Sequence, residues 1–382
     1  MKFLGAFTLA VLLASVNGAE LARQCTSLEV RREWRAFSKT ERKACINAVN
    51  CPNKTPSNGK LRPLIDTQSI SDPAFHIALV NKSVTCYDDL VYAQMNLNLV
   101  IHRTGLFLPW HRYVTMIHGI LVFAIRVTNY CYTAYTYTNE QIFSAASVVM
   151  KELYHIGHEK KIRRIFLVAK FGTLILKRDW EASAIMKSSN DYTIHTGALK
   201  IDISYPTPHK LHRHYIPQPF TNSTVTAVST FTPAEVQKLL TTPDGNFTQF
   251  QGYLEAPIGM HGAVHIMMGG DMGTRCPLGS EGTIYCLVQR TPTFSANEPM
   301  CHLHHGNVDR LWWLWQEKNV INKNAFHGGS VQNKSSLDIY PNGQPPWLST
   351  TSPVPSAGLW NTYTIGETMD TRSWPWCYVY DQ

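Results

Sequence analysis

Apolar residues at Leu90, Val91, Met95, Leu97 and Leu99, spaced among polar ones, predict a buried helix over residues 88–100. The run "RTGLFLPW" breaks it, and Pro109 then supplies a first-turn residue for a second helix carrying His111. Residues 28–50, "LEVRREWRAFSKTERKACINAVN", read as helix, with Ser38 as N-cap and charged helix formers behind it. "FTPAEVQKLL", 231–240, opens a helix with Thr232 as cap, Pro233 in the first position and Glu235 in the third. "NVDRLWWLWQEKN", 307–319, is strongly amphipathic. The last 40 residues, rich in Pro, Ser, Thr and aromatics, read as loops plus a short strand in "WCYVY". The pattern therefore predicts a mainly α chain with long loops and a few short strands.

Composition narrows this picture. With 382 residues, 44% of them hydrophobic, the chain can bury a substantial core in one large domain or two small ones. "MKFLGAFTLAVLLASVNGAE" has one lysine, an apolar run and small residues near Gly18 and Ala19, so residues 1–18 are expected to be a secretory signal peptide. The apolar run is too short for a membrane anchor, and no later segment is apolar for long enough to span a bilayer. Five N-x-S/T sequons, at Asn53, Asn81, Asn222, Asn246 and Asn333, fit a secreted glycoprotein. Nine cysteines fit an oxidising compartment, and their odd number leaves at least one outside an intrachain pair. The net charge of +8 comes mostly from residues 151–178, which carry eight basic and two acidic side chains. One local basic block in a secreted chain does not indicate a nucleic-acid partner.

Histidine spacing carries the chemistry. In "MHGAVH", His261 and His265 stand four apart, so a helix projects both from one face, where they can share a metal. Forty residues on, in "HLHHGNVDRLWWLWQ", His304 and His305 are expected to precede a helix. Asp309, one turn after His305, is expected to orient a ligand from behind or to pair with Arg310. His102 and His111 flank an aromatic turn in "IHRTGLFLPWHR", and Gln94 lies eight residues before His102. Imidazoles without thiolates or carboxylates suit copper, zinc or iron. "HIGHEKK" (His155, His158) reads as a solvated basic face, and "HKLHRH" (His209, His212, His214) as a basic loop.

Four stretches, "VRREWRAFSKTERKACINAV", "YDDLVYAQMNLNLVIHRTGLFLPWHR", "LEAPIGMHGAVHIMMGGDMG" and "HLHHGNVDRLWWLWQ", together resemble fungal tyrosinases and related type 3 copper proteins. The closing "YTIGETMDTRSWPWCYVY" is similar to the strand that ends the family's catalytic domain. The resemblance implies a four-helix bundle holding two copper ions, over a single domain spanning residues 19–382. Carried over residue by residue, it implies that His261, His265 and His305 hold the second copper (CuB), and that His102 and His111 hold the first (CuA). Gln94 stands where the family has the third CuA histidine. A neutral amide oxygen is a poor ligand for Cu(I), so CuA is expected to be weakened. His76 and His118 are the other histidines that could complete the site, and neither matches the motif.

The resemblance lapses over residues 119–179 and 273–292, which read either as insertions or as misjoined coding sequence; abrupt onset and foreign composition favour the second. Glu298, Cys301 and His302 stand where the family has Asp, Phe and an aromatic, and the family's Cys-x-His bridge is absent, with Val100 in its place. The expected activity is oxidation of small phenols or o-diphenols to o-quinones with O2, with diphenols favoured because Gly262 after His261 offers no side chain to deprotonate a monophenol. The competing expectation is a non-catalytic secreted protein with only CuB occupied. An oxygen carrier is disfavoured because such carriers are usually large multi-unit assemblies, and the C-terminal shielding domain of longer family members is expected to be missing.

Overall fold

The computed structural model describes residues 25–381 except 26, 34–35, 72–75, 78–84, 129–192, 195–200, 206–207, 213–223, 227 and 274–291. The expected signal peptide, most of both unmatched runs, and His155, His158 and His214 lie outside the described residues. In chain order the described elements are β1 (Glu29–Arg31), α1 (Lys39–Asn50), α2 (Cys86–Ile101), α3 (Phe107–Thr128), β2 (Asp202–Ile203) and β3 (His209–Lys210). There follow α4 (Pro233–Leu240), α5 (Phe247–Leu254), α6 (Met260–Met268), α7 (Met300–Gln316) and α8 (Val320–Asn324). The chain ends with β4 (Gly329–Val331), β5 (Gln344–Trp347), β6 (Pro353–Val354), β7 (Tyr363–Thr364), α9 (Ile365–Thr368) and β8 (Tyr378–Tyr380). Helices dominate, and the described strands pair only in twos.

Local signals set most helix starts. Ser38 accepts from the Glu41 amide while the Glu41 side chain accepts from the Ser38 amide, a reciprocal cap that starts α1. Thr85 and Asp88 do the same for α2. Thr232 caps α4 as expected; Glu235 turns instead to the Tyr253 hydroxyl. Two expectations shift. Residues 29–31 form a strand rather than helix, because Glu29, Val30 and Arg31 pair in parallel register with Tyr378, Val379 and Tyr380. His304 and His305 lie inside α7 rather than ahead of it, since the helix begins at Met300.

Two apolar cores meet along α3 and α7. Trp110 and Tyr113 of α3 and Trp313 of α7 face one core, with Tyr87, Leu90 and Val91 of α2. Phe107 and Leu108, with Trp312 and Trp315, face the other, beside Met260, Ala263 and Met267 of α6. Between the cores Arg112 is fully buried, with its guanidinium 3.7 Å above the Trp312 ring. It donates to Asp309 through Nε at 2.5 Å and to the carbonyls of Thr368 and Met369 through Nη1 at 2.9 and 3.4 Å. The disulfide Cys25–Cys377 closes the β1–β8 seam, joining residues 352 apart in sequence.

Candidate metal centre

The five expected histidines are delivered by four helices of this frame. His102 is the C-cap of α2, His111 lies in the first turns of α3, His261 and His265 share one face of α6, and His305 lies in α7. The structure gathers them. His261 Nε2 is 3.2 Å from both His305 Nε2 and His265 Nε2. The His111 ring stacks on His305 with centroids 4.2 Å apart, and His102 lies 5.0 Å from His111 and 5.8 Å from His261. His102, His111 and His305 offer ring nitrogens within 4.8 Å of one another, as do His261, His265 and His304.

Backbone carbonyls fix which nitrogen faces inward. His102 Nδ1 bonds the Asn98 carbonyl at 3.2 Å, His111 Nδ1 that of Phe107 at 2.7 Å, and His305 Nδ1 that of Cys301 at 2.8 Å. His265 Nδ1 bonds the Met272 carbonyl at 3.1 Å. A carbonyl accepts only from N–H, so each of these rings carries its proton on Nδ1 and turns a bare Nε2 lone pair inward. His111 Nε2 and His304 Nε2 are buried without a partner. Burial holds His102 down to about 3 and His265 down to about 4, and burial followed by neighbouring imidazoles holds His111, His261, His304 and His305 well below the ordinary value. His261 Nε2 can donate a proton to only one of the two bare Nε2 atoms that face it, so the three nitrogens are all satisfied only around something electron-poor. Tetrahedral bonds of ~2.0–2.1 Å separate imidazole nitrogens by ~3.3 Å, close to the spacing of 3.2 Å. The donor set fits a metal pair.

Gln94 is buried in α2 and donates to Ser295 Oγ at 3.3 Å, with Cys301 Sγ 4.0 Å away. Cys301 is a buried thiol outside any disulfide, one turn before His305, and its Sγ is 3.4 Å from His305 Nδ1. In the sequence Gln94 and Cys301 are separate departures from the family pattern; the structure makes them neighbours. His76 bonds the Ile70 carbonyl through Nε2 at 2.8 Å and joins no histidine group among the described residues, while the His118 side chain lies outside them.

Asp309 differs from expectation. Its oxygens accept from Arg112, Arg31, Tyr378 and Tyr380, and no hydrogen bond among those described joins it to an imidazole or to Arg310. Burial alone would raise its carboxyl, but Arg112 and Arg31 hold it below the ordinary value. Since Arg112 follows His111 and Asp309 lies one turn beyond His305, the pair locks the two helices behind their histidines.

Glu255 was not singled out by the sequence. It accepts from the Arg103 amide at 2.7 Å, and Arg103 has a positive φ of 56°, so the carboxylate pins the strained residue next to His102. Burial pushes Glu255 up to about 7. A raised carboxyl favours the protonated native state, so ionisation costs stability progressively as pH rises from the unfolded value near 4.5 through about 7. Glu255→Gln is therefore expected to raise the melting temperature at pH 8 but not at pH 4, with a gain of up to about 3 kcal/mol. Thermal denaturation at both pH values checks this, and equal shifts at the two would refute it. Gly262, after His261, has no room for a side chain: a Cβ there would lie 2.4 Å from the Pro257 carbonyl oxygen.

Residues 74–318 match the family described as the common central domain of tyrosinase. The chain is similar to the tyrosinase-like protein phomQ1' of Diaporthe leptostromiformis, at 24% identity covering 94% of this chain and 81% of that one. It is similar to Tyrosinase P of Aspergillus terreus, at 23% identity with 94% of each covered. N-acetyl-6-hydroxytryptophan oxidase ivoB of Emericella nidulans is 24% identical, with 98% of this chain and 99% of that one covered. Among solved structures, a polyphenol oxidase variant from Thermothelomyces thermophila shares the fold, with a TM-score of 0.55 at 19% identity, covering 93% of this chain and 89% of that one.

Proposed function

This chain belongs to the tyrosinase family, and from that membership and its converging imidazoles we propose that it is a type 3 copper oxidase of small phenols whose CuA is impaired by Gln94. Its helices are read as the family's four-helix bundle, with His261, His265 and His305 holding CuB and His102 and His111 holding CuA beside Gln94. The observation that carries this reading is His261 Nε2 lying 3.2 Å from the Nε2 atoms of both His265 and His305, whose Nδ1 atoms are tied to backbone carbonyls. When bound, the copper pair would carry electrons from diphenols to dioxygen, two from each diphenol, so that two diphenols become quinones as one O2 becomes two waters.

The protein's own part is positional. Carbonyls hold the rings in one tautomer, the Arg112–Asp309 pair holds α3 against α7, and Phe107 packs edge-on to His261 at 4.8 Å as part of an apolar wall. The absence of a side chain at Gly262 favours o-diphenols or aminophenols, which need no separate deprotonating group beside CuB. One relative is by name an oxidase of N-acetyl-6-hydroxytryptophan, a phenolic indole, which supports a phenolic substrate. The apolar N-terminus and the Cys25–Cys377 disulfide support a secreted protein, and no described helix is long and apolar enough to cross a membrane.

Gln94 also favours a second reading, a non-catalytic secreted copper-binding protein in which only CuB fills, because its amide is engaged by Ser295 instead of joining the imidazoles. Copper per chain, Cu(II) spin count and diphenol turnover, measured together, separate the two. We expect fewer than two coppers per chain, with the bound Cu(II) visible by paramagnetic resonance. Two coppers that are magnetically silent and turn over a diphenol would show that Gln94 leaves CuA intact. No copper at all would refute both readings.

A further inference from the structure

A second group of ligand-type side chains lies apart from these histidines. His209 of β3, His212 and Asp271 place one donor atom each within 4.8 Å of one another. His209 Nε2 is 3.0 Å from Asp271 Oδ1, and His212 Nδ1 is 3.8 Å from Asp271 Oδ2. The two rings are nearly parallel, 10° apart in plane with centroids at 5.3 Å. All three side chains are buried, with relative exposures of 3%, 8% and 1%. We propose that His209, His212 and Asp271 form a structural zinc site, with one coordination position left for water.

Spacing is the first argument. Tetrahedral zinc bonds of ~2.0–2.2 Å to imidazole nitrogen and carboxylate oxygen put donors ~3.3 Å apart. The two distances of 3.0 and 3.8 Å lie on either side of that value, and the longer exceeds a hydrogen bond between those two atoms.

Rigidity is the second. Asp271 sits in the turn Gly270–Met272 that follows α6. Its Oδ2 accepts from the His212 amide at 2.6 Å, and its own amide donates to the His212 carbonyl at 3.0 Å. His212 also bridges to Thr193, and His209 lies in β3, paired with β2. The carboxylate is thus held in place by backbone bonds before any metal arrives, as ligands of structural sites are.

Donor chemistry is the third. Two neutral imidazoles and one carboxylate, without a thiolate, match zinc's borderline preference and leave one net positive charge on the bound ion. Copper would compete for the same donors, so the site must be tested with copper already in the main centre.

The site bears on the histidine centre through one peptide. Met272, next to Asp271, presents the carbonyl that receives His265 Nδ1. Zinc at this place ties β3 and His212 to that carbonyl, and so steadies the orientation of His265. The zinc proposal does not depend on which copper ligands fill or on the oxidase activity.

The full chain, first loaded with copper, is equilibrated with zinc alone, desalted and analysed for both metals. Wild type is expected to retain one zinc per chain, and His209→Gln and Asp271→Asn each to lose it. Zinc is also expected to raise the melting temperature of wild type but not of His209→Gln, which leaves the backbone bonds of Asp271 in place. Because the readout is the difference in zinc between wild type and variants, it stands even if the copper centre fills incompletely. Equal zinc in wild type and both variants, or none in wild type, would show that the cluster is a hydrogen-bonded tie only.

Discussion

Asp309→Ala is expected to lower the stability of the fold by about 3–5 kcal/mol, because it strands a buried guanidinium. Arg112 is fully buried between two cores, and its Nε bonds Asp309 at 2.5 Å. Without the carboxylate, Nη1 keeps Gln316, Thr368 and Met369, but nothing opposes the charge at Nε. Arg31, Tyr378 and Tyr380 lose their shared acceptor at the same stroke, loosening the β1–β8 seam. Domains of this kind are stable by only about 5–15 kcal/mol, so the loss removes a large share. Asp309→Asn, which keeps an acceptor oxygen, is expected to lose less. Chemical denaturation of wild type and both variants measures this; an alanine variant within about 1 kcal/mol of wild type would mean that the ion pair is dispensable.

The second large effect concerns copper. Gln94→His is expected to raise copper from about one to about two per chain and to render the bound Cu(II) magnetically silent, because an imidazole is a far better copper donor than the amide it replaces. Helix α2 is continuous from Cys86 to Ile101, so the backbone that would present the new ring is in place. The ring must settle against Cys301 and Ser295, which now hold the Gln94 amide. Cys301→Phe combined with Gln94→His places at both positions the residues that the resemblance to the family implies, and tests whether the thiol side of the pocket limits the single variant. Copper per chain unchanged in both variants would mean that the third CuA position is not at residue 94.

Much of the centre could be read from local spacing. His261 and His265 share a helix face because a turn of helix is a local property, and the caps Ser38 and Thr232 act within three residues. Pairings set by long-range packing could not be read. Asp309 was expected to face a neighbour along its own helix, yet its strongest partner, Arg112, lies 197 residues away and the other donors come from the two chain ends. Residues 29–31 have a charged, helix-compatible composition, but three backbone pairings with 378–380 override it. The contact between Gln94 and Cys301, 207 residues apart, has no local signature either; each looked like an isolated departure from the family pattern.

The seam between β1 and β8 makes the order of synthesis matter. Cys25 and its partner Cys377 are separated by 352 residues, so the first strand is made long before the last. At ribosomal rates of about 5–20 residues per second, β1 waits on the order of 20–70 s for the strand that completes it. During that interval the Cys25 thiol meets the intervening cysteines first, and any early bond it makes must be exchanged before the seam can close. Yield of the correctly closed chain will therefore depend on catalysed disulfide exchange after translation ends, more than on the strength of the three strand pairings themselves.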